Sequence, residues 1–200
     1  MDTTDVRITQ RSWVVGGVLL LAAVLLAYTT ESFQPVAAWV GLLSPLAFGA
    51  ACIVFAWGFS DTESITARRP VGTGALILLG VWTPVAAVVM IVLGGSLEAL
   101  QAFSITDGVV SFALALVAVV MIGRARIVPR PWNWTPAWCL AAITTVRVID
   151  SVFAAIPNPD PTAAAPLLAF LSALTSVGSL LGLGVLAIIH GLAPSSSSLK

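Results

Sequence analysis

Six apolar stretches dominate the chain, at approximately Ser12 to Tyr28, Val36 to Trp57, Gly72 to Gly95, Leu100 to Gly123, Trp134 to Ile156 and Pro166 to Ile189. Each is close to the roughly 20 residues that one helix needs to cross a bilayer. In hydrocarbon a segment must satisfy its backbone groups internally, and none of the six alternates as a barrel strand does, so all six read as helices. Such spans leave short loops and two tails within the 200 residues, and no room there for a soluble catalytic domain. Composition agrees: 58% of residues are hydrophobic and only 9% charged, against about 25% charged in a soluble domain. The expected fold is all-α, a polytopic bundle of six transmembrane helices. Residues 1–11 form a cytoplasmic tail, 12–190 a single transmembrane domain, and 191–200, with the low-complexity run Ser195–Ser198, a disordered cytoplasmic tail.

Basic residues orient the bundle, because short cytoplasmic loops collect Lys and Arg. Arg7 and Arg11 precede helix 1, Arg68 and Arg69 fall between helices 2 and 3, and Arg124, Arg126 and Arg130 between helices 4 and 5; Lys200 ends the chain. The opposite loops hold Glu31, Glu98 and Asp160 and no basic residue. Both termini are therefore expected inside, with the protein in the plasma membrane. Aromatic residues favour the interfaces, and Trp13, Trp57, Trp132, Trp134 and Trp138 sit near inner ends, Tyr28 and Trp39 near outer ends. Arg7 and Arg11 before an apolar run also resemble the start of a signal peptide, but Tyr28-Thr29-Thr30-Glu31 is a poor cleavage site, so helix 1 is expected to stay. Eight Arg to one Lys, with abundant Ala, Val and Leu, fits a bacterial membrane protein from a GC-rich genome.

Several chemistries are excluded by counting. Acidic and basic residues cancel at nine each, so no basic surface marks a nucleic-acid partner. Two Cys, Cys52 and Cys139, without a CxxC spacing and a single His offer no metal or dithiol site. The only Lys is terminal, which leaves no intramembrane amine for a Schiff base. No cofactor is expected.

Helix 5 is where the sequence departs from a bland span. Arg147 and Asp150 lie three residues apart on one face, about 13 Å and about 9 Å below an outer end at Ile156. Two central charges cost about 5 to 7 kcal/mol, while the segment's Leu, Ile, Val and Phe residues offset only about 2.4 to 4.8 kcal/mol. That face should turn inward, toward polar groups of neighbouring helices. Asp107 on helix 4 lies at similar depth; it reads either as a member of this site or as the N-cap of a shorter helix 4. On helix 6, Ser172, Thr175, Ser176 and Ser179 form a polar stripe, with Gly178 and Gly182 in small-xxx-small spacing. The expected solute or ion site is thus Arg147, Asp150, Asp107, Thr144, Ser151, Thr175, Ser176 and Ser179. Ser44-Pro45 and Thr83-Pro84 free backbone carbonyls, so Ser44, Thr83 and the mid-span Trp82 are expected to line a cavity. The bland alternatives are a structural Arg–Asp pair, hydroxyls gluing helices together, Trp82 in simple packing, and His190 explained by its helix C-terminus.

Three function classes follow. Buried ionisable groups mark solute, ion or proton pathways, which favours a small transporter or a transport-system component. The alternative is a non-catalytic accessory or assembly subunit, and the small size points to a homo-oligomer or a membrane partner subunit in either case. An enzyme has the least support: His190 is eleven residues from Ser179, about 16 Å along one helix, and HExxH and GxSxG are missing. Only an acid-only mechanism through Asp107 and Asp150 stays open.

Overall fold

The computed structural model describes residues 11–29, 41–59, 64, 66, 69–125, 135–154 and 161–192; the side chains of 125, 146–154, 161–165, 167–169, 172 and 176 fall outside that description. The described residues form six helices: α1 (Arg11–Thr29), α2 (Leu43–Trp57), α3 (Pro70–Leu93), α4 (Leu97–Ala125), α5 (Thr135–Ala154) and α6 (Pro161–Leu192). Each packs against its chain neighbours and α6 returns to α1, so the six close into an antiparallel ring. Of the expected tails 1–11 and 191–200, residues 1–10 and 193–200 lie outside the described residues, while 11, 191 and 192 are helical; residues 30–40 and 155–160 also lie outside them.

Four helices are long and apolar enough to cross a membrane: α1, α3, the Leu97–Arg124 part of α4 and the Ala173–Leu192 part of α6. This is compatible with a multi-pass membrane protein. The remaining two fall outside that set. Expected from Val36, α2 begins only at Leu43, after a turn at Gly41 and Leu42; its 15 residues extend about 22 Å, short of the roughly 30 Å hydrocarbon layer. In α5 the described side chains stop at Thr145.

The interior is small and the exterior large, the arrangement expected when lipid rather than water surrounds the bundle. Ala23, Ala51, Ala56, Ala75, Ala86, Ala118 and Ala187 are buried, whereas Val92, Leu97, Ile105 and Leu25 are exposed. In water such a surface would be a continuous apolar patch. Glycines set the closest crossings. A Cβ on Gly49 would strike the Gly80 carbonyl oxygen, and one on Gly80 would come within 2.7 Å of the Gly49 oxygen, so α2 and α3 touch through their backbones. The α1–α6 crossing repeats this at Gly17 and Gly184. Gly178 and Gly182, expected to allow such an approach, instead face open space; the α6 glycine used for packing is Gly184.

Proline chemistry supports the α2–α3 crossing. Pro84 has no N–H for the carbonyl four residues earlier, which belongs to Gly80, the oxygen that meets Gly49. That carbonyl is turned to helix packing. Pro45 sits in the first turn of α2, where no intrahelical bond is lost, so it frees no carbonyl within the span. Between α2 and α3, the buried Ser64 donates its hydroxyl to the Ala56 carbonyl at 2.7 Å. Its hydroxyl lies 3.0 Å from that of Thr66, which is 2.7 Å from that of Thr73. This chain of hydroxyls ties the loop to both helices at the Arg69 end.

Candidate functional site: a ring-enclosed apolar cavity beneath a carboxylate

Inside the ring lies a cavity of about 440 Å³ to which every helix contributes. Trp13 and Leu20 come from α1, Phe48, Cys52 and Phe55 from α2, and Leu76 and Leu79 from α3. On the other side α4 supplies Ala115, Val119 and Ile122, α5 supplies Thr135, Cys139 and Ile143, and α6 supplies Ser179, Leu183 and His190. Phe48 apart, which lies just before the middle of α2, these residues occupy the first half of α1, α3 and α5 and the second half of α2, α4 and α6. In an antiparallel ring that is one end of the bundle, the end that carries Arg11, Arg69 and Arg124.

The wall is overwhelmingly apolar, with its few polar groups well separated. Deep in the cavity, Cys139 and Ser179 meet in a side-chain hydrogen bond between α5 and α6. Both cysteines, Cys52 and Cys139, are free thiols and both face this space. At the arginine-bearing end the His190 ring lies 5.3 Å from the Trp13 ring, centroid to centroid, and Trp13 meets Phe55 edge-on at 6.0 Å. The sequence explains His190 by its helix end alone; its contact with Trp13 arises because the last turn of α6 meets the first turn of α1. Next to Trp13, Ser12 is buried with no hydrogen-bond partner for its hydroxyl.

A polar contact between α3 and α4 lies outside the cavity wall. Trp82 Nε1 donates to Asp107 Oδ1 at 2.7 Å, and the Ser111 hydroxyl donates to the same oxygen at 3.1 Å. The Phe103 ring flanks Trp82 at 6.3 Å. Because α4 starts at Leu97, Asp107 stands in its interior, about 15 Å from the helix start at 1.5 Å per residue. The N-cap reading is therefore incorrect: no helix end is available there, and the carboxylate accepts from a neighbouring helix instead. Trp82 has the polar partner its indole N–H requires, so packing alone does not describe it. It lies three residues beyond Leu79, the deepest α3 residue of the cavity wall.

The remaining expected site residues are dispersed. Thr144 donates to the Leu140 carbonyl, Thr175 to Leu171 and Thr83 to Leu79, each within its own helix. Such back-bonding satisfies a hydroxyl locally. Ser44 donates to the Ala23 carbonyl at 2.8 Å and so fastens α2 to α1. Among the expected residues whose side chains are described, Ser179 alone lines the cavity; Ser44, Trp82 and Thr83 do not. Arg147, Asp150 and Ser151 are on the α5 helix and Ser176 on α6, with side chains outside the described residues. Among the described residues no cluster of three His, Cys, Asp or Glu is placed to hold a metal ion. The cavity residues missed in the sequence are Trp13, Cys52, Cys139 and His190, and only the position of the last on an inward helix end distinguishes any of them from ordinary span residues.

Comparison with known protein families, with curated proteins and with solved structures finds no match to this chain.

Proposed function

We propose that the protein is a six-span membrane protein, with both termini on the cytoplasmic side of the plasma membrane, that binds or transports a small, predominantly apolar molecule. The single observation that carries this reading is the cavity that all six helices line. Its volume falls in the range of small-molecule sites, roughly 300–1,000 Å³, and its wall has their composition, apolar with a few fixed polar groups. The wall favours an apolar molecule over an inorganic ion, since among the described residues no three His, Cys, Asp or Glu side chains come together as a ligand set. In a transport cycle the ionisable groups beyond the cavity, Asp107 and the Arg147 and Asp150 of α5, would carry the coupled proton or counter-charge. Support for that division of labour is their place on ring-neighbour helices α4 and α5. Native mass spectrometry of the purified protein tests the reading. The protein is expected to carry one bound apolar molecule, and Leu183→Trp, which narrows the cavity at its middle, to hold it more weakly; the same adducts at the same occupancy on both proteins would contradict it.

A second reading, an accessory or assembly subunit, draws on one observation. Gly178 and Gly182 stand four residues apart on the outer face of α6, with nothing within 4 Å of a Cβ on either. Small residues so spaced let a neighbouring membrane helix approach closely. Here Gly178→Leu with Gly182→Leu is expected to convert a homo-oligomer or hetero-complex to a single protomer on sizing; an unchanged mass for the variant counts against this reading.

A further inference from the structure

We infer that the cavity takes a single-chain amphipathic anion of the long-chain fatty acid class, with the apolar tail directed toward the Trp82–Asp107 contact and the carboxylate at the arginine-bearing end. The inference rests on the reading of the cavity as a binding site and names its ligand. Length is the first support. Along α6 the wall runs from Ser179 to His190, eleven residues or about 16 Å at 1.5 Å per residue. Half of a roughly 30 Å hydrocarbon core is about 15 Å, the depth that one lipid chain occupies in one leaflet. The volume of about 440 Å³ is lined by all six helices, a slot for one tail.

Charge is the second support. In the sequence, the segments up to the start of α1, between α2 and α3, from the last turn of α4 to α5 and after α6 hold eight basic residues, Arg7, Arg11, Arg68, Arg69, Arg124, Arg126, Arg130 and Lys200, against four acids, Asp2, Asp5, Asp61 and Glu63, a difference of +4. The alternate segments of the sequence hold Glu31, Glu98 in the first turn of α4, and Asp160, and no base. Arg11, Arg69 and Arg124 are exposed at the cavity's end of the bundle, and no acid is present there among the described residues. His190 and Thr135 are the polar side chains of the wall at this rim, placed to meet a head group. An anion therefore enters head toward the positive end, and its tail meets a wall of carbon interrupted only by the Cys52 thiol and the Cys139–Ser179 pair.

Access is the third. Among the described residues the seam between α4 and α5 is the most thinly packed of the ring, and both sides of it, Val119 and Ile122 with Cys139 and Ile143, belong to the cavity wall. A fatty acid in the inner leaflet lies against that seam and reaches the cavity without crossing water.

Photo-crosslinking in nanodiscs of phosphatidylcholine, with a diazirine-bearing palmitate and peptide mapping of the full-length protein, tests this. Adducts are expected on Cys139, Ile143 or Leu183. Unlabelled palmitate should compete roughly fivefold better than hexadecanol, and Arg124→Gln should weaken labelling by a similar factor, which is what about 1 kcal/mol per arginine at a membrane surface amounts to. Leu183→Trp should weaken these adducts while those on lipid-facing Leu174 and Leu181 persist; if that variant does not fold, competition on the unmodified protein still decides. Equal competition by palmitate and hexadecanol would overturn the anion and leave the cavity as a binding site. Adducts confined to Leu174, Leu181 and Val92 would overturn both.

Discussion

The α2–α3 crossing and the α4–α5 seam are built in opposite ways. At the first, Gly49 and Gly80 bring two backbones into contact, and the carbonyl released by Pro84 lies in the interface. At the second, contacts are sparse among the described residues, and side chains from both helices face empty apolar volume. In a membrane there is no hydrophobic force between helices, so close backbone packing holds a bundle together. Where glycines face each other the ring is stable, and where they do not a cavity is left. The cavity that all six helices line is thus bounded by a backbone-to-backbone crossing on one side and by a thinly packed seam on the other.

Substitutions in the two regions should separate accordingly. Gly80→Leu drives a side chain into the Gly49 carbonyl and is expected to cost about 3 kcal/mol or more, loss of the folded protein; thermal unfolding in detergent reads it, and a melting temperature equal to the parent's would refute the role given to that crossing. Asp107→Leu leaves the Trp82 N–H and the Ser111 hydroxyl without their acceptor and should cost roughly 1–3 kcal/mol, whereas Asp107→Asn, which keeps an acceptor oxygen, should recover most of it. Equal melting of the Leu and Asn variants would show that the hydrogen bonds from Trp82 and Ser111 contribute nothing. Ile143→Phe at the seam adds volume where there is space and should shift stability by less than about 1.5 kcal/mol; a loss as large as that of Gly80→Leu would erase the contrast between the regions. Smallest of all, Gly178→Ala and Gly182→Ala meet open space and should stay within about 0.5 kcal/mol of the parent, measured in the same melts.

Much of the fold is legible in the sequence, because apolar length and backbone satisfaction in lipid leave little choice but helices. The helix starts are less so: α2 begins seven residues later than its apolar run, and α6 begins five residues earlier, with Pro166 accommodated in its second turn. Asp107 and Trp82 stand out as anomalies of type in an apolar span, and their pairing explains both. What joins them is the antiparallel register of α3 and α4, which no residue in the sequence announces. The cavity is opaque for a related reason. Cys52, Leu79, Ile143 and Leu183 line it, yet a residue facing an apolar cavity and one facing lipid are chosen from the same set. The glycine pattern misleads similarly, since Gly178 and Gly182 have the spacing of a packing motif while Gly184, with Gly17, has the contact.

The most direct measurement is a high-resolution density map of the protein in lipid nanodiscs supplied with palmitate. Elongated density within the ring, touching Cys139, Leu183 and His190 and ending short of Trp82 and Asp107, is the predicted result. A ring interior filled by inward rotation of α5, with lipid density on its outer surface alone, would contradict it.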